Sequence, residues 1–343
     1  MKNWKREIKC LAWDLDNTLW EGVLLEGDVV RLRDGIPKLI RTLDDRGILL
    51  SVASRSDYDQ AMRQLRAFGL DEYFIYPQIS WGPKSVSVQA IADSLGIGTD
   101  AIAFIDDDPY ERDEVAASLP AVLCIDAAEL DSVADLPEMN PTYITADSRR
   151  RRSMYRAELE RQEAEVVLPP GEFLVSLGMV FTVSEAVEGD LARVEELTIR
   201  THQLNSTGHT YSYDELESFR QSTRHKLLVA GLDDRYGTYG KIGVALVEVR
   251  DEDWLLKLLL MSCRVIARGV GRVMLSHILF SAAAEGKRVL AEFVRTERNR
   301  MMYLTFKLAG FRDVERRNNV AVLEHDLCSI DPFPDHVEVR LIA

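Results

Sequence analysis

Short apolar runs alternate with helix-like segments through the first part of the chain. Continuous apolar runs at Cys10–Trp13, 47–53 and 101–105 predict buried strands, and residues 85–95 predict a helix. Beyond residue 171 the pattern predicts strands at 176–184, 226–231, 242–250 and 255–263, and helices at 188–203, 272–285 and 299–310. Both parts of the chain are therefore predicted to mix helices and strands.

The length of the chain favours two domains, because 343 residues exceed what a single hydrophobic core usually supports. The alternation of strands and helices stops near Asn140, and a charged helical stretch then leads to Pro169, Pro170 and Gly171. We predict a first domain at residues 1–145, a charged helical linker at 146–171 and a second domain at 172–343.

The net charge of -14 argues against nucleic acid or an anionic membrane as the main partner, since both require a basic face on the protein. A local exception is the basic run from Arg149 to Arg152. This run is interpreted either as a solvated helix in the linker or as a docking surface for an acidic partner.

The four cysteines have no paired spacing, so neither a disulfide framework nor a zinc site is expected. Residues 1–6 lack an apolar signal segment, and the most apolar stretch, 254–261, is short and carries Lys257. We therefore expect a cytosolic protein without a membrane span.

Two carboxylates, Asp14 and Asp16, directly follow the first predicted strand. Residues two apart in a strand share a face, so these like charges need a cation or a proton between them. Mg²⁺ is suited to this place, because it prefers carboxylate oxygen and would leave one oxygen free to attack phosphorus. The alternative is a solvated acidic turn after a strand.

The next predicted strands also end in groups that phosphoryl transfer can use. Ser54 follows the second strand, and its hydroxyl can donate to a phosphate oxygen. Lys84 opens the predicted helix, where anions are favoured. Asp106 and Asp107 follow the third strand and are suited to completing a metal site.

This order of residues resembles the four motifs of the haloacid dehalogenase superfamily. The resemblance implies a Rossmannoid parallel sheet with a minimal cap, because only residues 20–34 separate the first strand from its helix. It implies that Asp14 is a nucleophile that becomes phosphorylated and that Asp16 is the acid and base. It further implies that Ser54 and Lys84 hold the phosphoryl group, and that Asp14, Asp16, Asp106 and Asp107 form the Mg²⁺ site.

In the second domain, the strand predicted at 255–263 runs into Arg264, Arg268, Gly269 and Gly271, and a helix follows. A glycine turn at a helix start can hold an anion with its backbone N–H groups, although close packing gives the same residues. The arrangement resembles the acetyltransferase (GNAT-like) α/β fold. It departs from that family's coenzyme A loop at Val273, where a small residue is expected.

Local sequences along nearly the whole chain are similar to the FkbH-like proteins. The resemblance implies a glyceryl transferase/phosphatase that takes glyceryl from 1,3-bisphosphoglycerate and loads it onto the phosphopantetheine thiol of a holo acyl carrier protein in polyketide biosynthesis. The alternatives are a small-molecule phosphatase whose second domain only binds a partner or covers the site, and a silent carrier-binding module. The similar segments are 13–22, 51–54, 77–81, 106–115, 203–208 and 261–266.

Cys263 is the candidate thiol for acyl transfer. Arg264, Arg268 and a helix start follow it, and such features favour a reactive thiolate, although a cysteine at a strand end is also an ordinary core residue. Arg264 and Arg268 are also candidate substrate-binding residues. A separate polar segment supplies the other candidates for the acyl site. His202 and His209 are candidate bases, and Asn205 and Ser206 are candidate donors to an oxyanion.

Overall fold

The computed structural model describes residues 6–342, and the chain divides into two compact units, Met1–Arg156 and Ala157–Ala343. Residues 1–5, which include most of the segment where no signal sequence is expected, lie outside the described residues. No helix among residues 6–342 is both long and apolar enough to cross a membrane.

The first unit is built on a five-stranded sheet whose paired strands are all parallel. The strands of the whole unit are β1 (Cys10–Trp13), β2 (Trp20–Glu21), β3 (Arg31–Leu32), β4 (Leu49–Ser54), β5 (Gln78–Ile79), β6 (Ile102–Asp106) and β7 (Leu123–Asp126). Of these, β2 and β3 are not part of the five-stranded sheet. Its helices are α1 (Ile36–Asp45), α2 (Tyr58–Ala67), α3 (Lys84–Leu95), α4 (Pro109–Ser118) and α5 (Ala146–Arg149), and the next helix, α6 (Arg151–Val167), contains the boundary between the units. The strand order is β5-β4-β1-β6-β7.

The central strands of this sheet are mainly apolar on both faces. Every residue of β1, β4 and β6 is buried, as parallel strands covered by helices require. β2 and β3 pair as a two-stranded ribbon within residues 20–34. The minimal cap predicted from the short connection is therefore this ribbon.

Part of the basic run, Arg149 to Arg152, makes contacts within the first unit. Arg152 pairs with Asp44 at 2.9 Å and lies over the ring of Tyr73, and Arg151 donates to the Gly47 carbonyl at 2.8 Å. Arg149 and Arg150 are exposed. Half of the run therefore packs against its own unit, which neither interpretation of the run anticipated.

The second unit is a mixed eight-stranded sheet in the order β13-β14-β12-β11-β10-β9-β8-β15. Its strands are β8 (Met179–Glu185), β9 (His225–Asp234), β10 (Gly237–Val249), β11 (Asp253–Met261), β12 (Arg288–Val294), β13 (Arg312–Arg317), β14 (Val320–His325) and β15 (Val337–Ile342). Its remaining helices are α7 (Pro170–Ser176), α8 (Leu191–Arg200), α9 (Tyr213–Gln221), α10 (Val273–Ala284) and α11 (Arg300–Leu308).

Strands β11 and β12 run parallel but pair only over residues 253–256 and 288–291. Beyond this point residues 204–206 lie between them and bond to both strands. Ser206 N donates to the Leu259 carbonyl, and Val294 N donates to the Ser206 carbonyl, each at 2.9 Å. We call residues 204–206 the bridging segment.

Candidate active site

The candidate phosphoryl-transfer site lies at the carboxyl edge of the parallel sheet. Asp14 directly follows β1, whereas Ser54 and Asp106 are the last residues of β4 and β6. Because β1 lies between β4 and β6, parallel pairing brings these three positions to one edge. Asp14, Ser54 and Asp106 are all buried, and the nearby Ser54 hydroxyl favours the charged form of Asp14 and so lowers its pKa.

Lys84 joins the two buried carboxylates. As the sequence predicts, it is the first residue of α3, and its Nζ donates to Asp14 Oδ1 and, at 2.9 Å, to Asp106 Oδ2. Burial disfavours its charged form, but attraction from the two carboxylates outweighs burial and raises the pKa of Lys84. Lys84 therefore remains a cation at the centre of the site.

The protonation of Asp14 is set by competing effects. Burial raises the pKa of Asp14 to about 7, the Lys84 ammonium opposes this shift, and the charge of Asp106 adds to it. A carboxyl with this pKa exchanges its proton near neutral pH.

Three carboxylates form a group that fits a divalent cation. Oxygen atoms of Asp14, Asp106 and Asp107 lie within 4.8 Å of one another. Such all-oxygen donor sets suit Mg²⁺. The Asp16 carboxylate, predicted to join this site, is not part of the group. Its Oδ1 accepts hydrogen bonds from Trp20 Nε1 and Leu24 N at 2.7 and 3.1 Å.

The three consecutive aspartates after β6 have different surroundings. Thr18 Oγ1 donates to Asp107 Oδ1 at 3.2 Å and accepts from the Asp107 N–H at 3.0 Å, so Thr18 orients Asp107. Asp108 instead caps α4, where its Oδ1 accepts from Tyr110 N at 2.9 Å. The structure therefore groups Asp106 and Asp107 with Asp14 and leaves Asp108 as a helix cap.

An ion pair that the sequence analysis missed borders this site. Arg55 Nη1 lies 2.7 Å from Glu111 Oε1, and Arg55 Nε donates to the Gly82 carbonyl at 3.1 Å. Burial raises the pKa of Glu111, and the charges of Arg55 and Lys84 oppose the shift. No motif marks the pair, and its only signal is that Arg55 follows Ser54.

The model of the haloacid dehalogenase-like hydrolases matches residues 21–114. The first unit contains a haloacid dehalogenase-like hydrolase domain. The match includes Ser54, Lys84 and Asp106 and begins after Asp14 and Asp16. No curated protein gave a match to the chain.

Solved structures similar to the chain include a phosphatase-containing protein and two acetyltransferases. The N-terminal part of a Bacteroides fragilis protein, containing a phosphatase domain complexed with Mg, is 27% identical, with 39% of this chain and 40% of that chain covered and a TM-score of 0.31. The ribosomal-protein-S18-alanine N-acetyltransferase of Escherichia coli is 19% identical (43% and 93% covered, TM-score 0.35). An acetyltransferase of Thermus thermophilus is also 19% identical (43% and 97% covered, TM-score 0.33).

The chain thus spans 40% of the length of that solved chain, which is the N-terminal part of the Bacteroides fragilis protein. The fold class of the present chain is α/β, as predicted: a haloacid dehalogenase-like parallel sheet is followed by a second domain with a mixed sheet and helices.

In the second unit, Cys263 is exposed. It begins a short 3-10 turn, Cys263–Arg268, two residues after β11 ends, whereas the sequence predicted it as the last strand residue. Its Sγ donates to Gln203 Oε1 at 3.8 Å. An exposed thiol at this position is accessible to a substrate.

Arg268 was predicted to bind substrate, but it forms ion pairs and a hydrogen bond with residues of its own unit instead. It is 3% exposed, and it pairs with Glu158 at 2.9 Å and Glu165 at 3.4 Å. Its Nε donates to Tyr239 Oη at 3.0 Å. Arg264 is exposed and donates to the Tyr239 carbonyl at 3.1 Å. Of the two arginines, Arg264 is therefore the one that can reach a ligand.

The other predicted acyl-site residues separate into two groups. His202 and His209 are exposed, and the ring of His209 packs edge-on against Tyr211. Asn205 and Ser206 are fully buried in the bridging segment. Asn205 Nδ2 donates to the Thr201 carbonyl at 3.2 Å.

Ser206 Oγ accepts from Leu259 N at 3.0 Å, so this hydroxyl is hydrogen-bonded to the backbone of β11. The structure gives Asn205 and Ser206 a role in bridging β11 and β12 rather than the predicted role of donors to an oxyanion. The thiol's partner, Gln203, is a residue that the sequence analysis did not select.

Proposed function

We propose that the chain is a bifunctional glyceryl transferase and Mg²⁺-dependent phosphatase. It would take glyceryl from 1,3-bisphosphoglycerate, remove phosphate, and load the acyl group onto the phosphopantetheine thiol of a holo acyl carrier protein, which supplies glyceryl units for polyketide biosynthesis. The observation that supports the proposal most is the buried group of Asp14, Lys84 and Asp106, with Ser54 beside it, in a haloacid dehalogenase-like domain.

In the phosphatase reaction, a carboxylate oxygen of Asp14 attacks phosphorus, and the bond between phosphorus and the alcohol oxygen breaks. Asp16 gives its proton to the departing oxygen. Water then cleaves the phosphorylated Asp14 and returns a proton to Asp16. Lys84 and the Ser54 hydroxyl orient the phosphoryl oxygens, and Trp20 keeps Asp16 in a fixed orientation.

Asp14, Asp106 and Asp107 would hold Mg²⁺, which when bound neutralises charge that develops on the phosphoryl group. Thr18 keeps Asp107 in position for this.

In the transfer reaction, the Cys263 thiolate attacks the acyl phosphate carbonyl, a C–S bond forms, and inorganic phosphate departs. The carrier thiol then attacks this thioester and releases the Cys263 thiolate. Gln203 Oε1, which accepts from the thiol, would orient Cys263, and the exposed Arg264, the next residue, would meet the departing phosphate.

A phosphatase without transferase activity is the second candidate. It is favoured by the burial of Arg268, Asn205 and Ser206 in contacts internal to their unit, because these residues were expected at the acyl site. In that case the second unit would only bind a partner or cover the site.

The phosphatase assignment is tested with Asp14→Asn and the exposed control Asp59→Asn. An amide retains the shape of the side chain but cannot attack phosphorus, so we expect phosphate release from 3-phosphoglycerate to fall by roughly 10³-fold or more, as for loss of a nucleophile. The control should match the parent, and both variants should have the parent's circular dichroism spectrum. Unchanged phosphate release by Asp14→Asn would contradict the assignment.

A further inference from the structure

Arg55 is tied to three of the chain segments that form the phosphoryl-transfer site. It directly follows Ser54, it bonds to the carbonyl of Gly82 just before Lys84, and it pairs with Glu111, which lies on α4 after Asp106. A side chain anchored in this way at both its Nε and its Nη1 has a fixed guanidinium position. Arg55 is therefore positioned by the same segments that position the reacting groups.

The guanidinium is nevertheless accessible. The Arg55 side chain is 37% exposed, and no residue described in 6–342 accepts a hydrogen bond from its Nη2. Lys84, by contrast, is buried and shared between Asp14 and Asp106. Arg112, which lies beside Asp106, donates to the Asp106 carbonyl and pairs with Asp126. Arg55 thus retains N–H donors that can reach a ligand.

Glu111, which anchors Arg55, is more buried than the acidic partner of a surface ion pair usually is. Glu111 is 7% exposed, and its Oε2 is buried without a hydrogen-bond partner among the described residues. The neighbouring Ser56 Oγ is also buried and unpartnered in the described structure. Buried polar atoms without partners are costly, so their presence beside Arg55 calls for a local reason, such as a binding function.

From this geometry we infer that Arg55, held by Glu111, binds a second anionic group of the substrate, at the end opposite the phosphate to be removed. The substrate class is then a phosphate ester of a small hydroxy acid rather than of a neutral alcohol. Arg55 is the residue that selects it, because a planar guanidinium donates two parallel hydrogen bonds to a carboxylate or phosphate. Glu111 is a positioning residue. The inference rests on the phosphatase part of the proposed function.

The test compares kcat/KM for two phosphate esters that differ only at the far end, 3-phosphoglycerate with a carboxylate and glycerol 3-phosphate with a hydroxymethyl group. We expect the parent to prefer 3-phosphoglycerate. Arg55→Gln should reduce this preference by about 10- to 100-fold through a higher KM, the range for losing a hydrogen bond to a charged group. Glu111→Gln should reduce it less, and Arg55→Lys should retain part of it.

The matched control is Arg63→Gln, which changes an exposed arginine on α2 and should leave the preference at the parent's value. Because the preference is a ratio measured within each preparation, partial misfolding of a variant does not alter it. A parent without preference, or an Arg55→Gln variant with the parent's preference, overturns the inference and leaves the phosphatase assignment standing. Phosphate release from neither ester by the parent contradicts both.

Discussion

At the scale of single residues, the site depends on one lysine between two buried carboxylates. Lys84 is 3% exposed, and a buried ammonium is stable only when it is paired. Asp14 and Asp106 supply that pairing, and the lysine in turn lowers the cost of their burial. A cation that binds Asp14, Asp106 and Asp107 must compete with protons at Asp14.

Mg²⁺ affinity should therefore depend on pH near neutrality. Asp14, whose pKa is about 7, is protonated below that value, and a metal binds only the carboxylate. We expect the affinity to fall as the pH decreases from 8 to 6, by up to about tenfold per unit below the pKa, with a proton released on binding. Calorimetric titrations in two buffers of different ionisation enthalpy measure both quantities.

Two variants test which of the neighbouring aspartates binds Mg²⁺. Asp107→Asn removes a carboxylate from the group and should weaken Mg²⁺ binding throughout this pH range. Asp108→Asn preserves the helix cap and should bind as the parent does. Binding that is equally strong at pH 6 and pH 8, without proton release, would show that Asp14 does not control the metal site.

At the scale of secondary-structure elements, the bridging segment 204–206 holds together two strands that otherwise separate. It replaces the missing pairing between β11 and β12 with its own backbone and with the Ser206 hydroxyl. It also places the preceding residue, Gln203, beside Cys263. Its polar side chains therefore contribute to stability and to the position of the thiol's partner.

Ser206→Ala should destabilise the second unit. The change leaves the Leu259 N–H buried without its acceptor, at a cost of about 1–3 kcal/mol. Urea unfolding followed by tryptophan fluorescence measures this loss, with the exposed Ser329→Ala as the control. If Ser206→Ala instead unfolds like the parent but loses acyl transfer, the hydroxyl acts in catalysis, as the sequence first suggested.

The sequence predicts those features that depend on neighbouring residues, and it does not predict contacts between residues far apart in the chain. The strand Cys10–Trp13 and the placement of Lys84 at the start of α3 were predicted correctly, because apolar runs and the preceding Gly82 and Pro83 are local features. The burial of Arg268 depends on Glu158, which is 110 positions away in the chain. Pairings over such distances leave no signal in one sequence.

At the scale of the whole molecule, each compact unit carries its own candidate chemistry. The first contains a haloacid dehalogenase-like hydrolase domain and the group of Asp14, Lys84, Asp106 and Asp107, and the second has an exposed thiol after β11. The central proposal is that one substrate is processed by both. A phosphatase alone would need only the first unit, so the covalent chemistry of Cys263 distinguishes the two candidates.

The most direct test is intact-mass analysis of a holo acyl carrier protein after incubation with the enzyme, Mg²⁺ and 1,3-bisphosphoglycerate. The parent should add one glyceryl group to the carrier, and Cys328→Ala, which removes the other exposed thiol, should do the same. Cys263→Ala should load the carrier only at background level. Asp14→Asn should carry a phosphoglyceryl group on Cys263. Carrier loading by Cys263→Ala at the parent's rate would contradict the proposed acyl-enzyme.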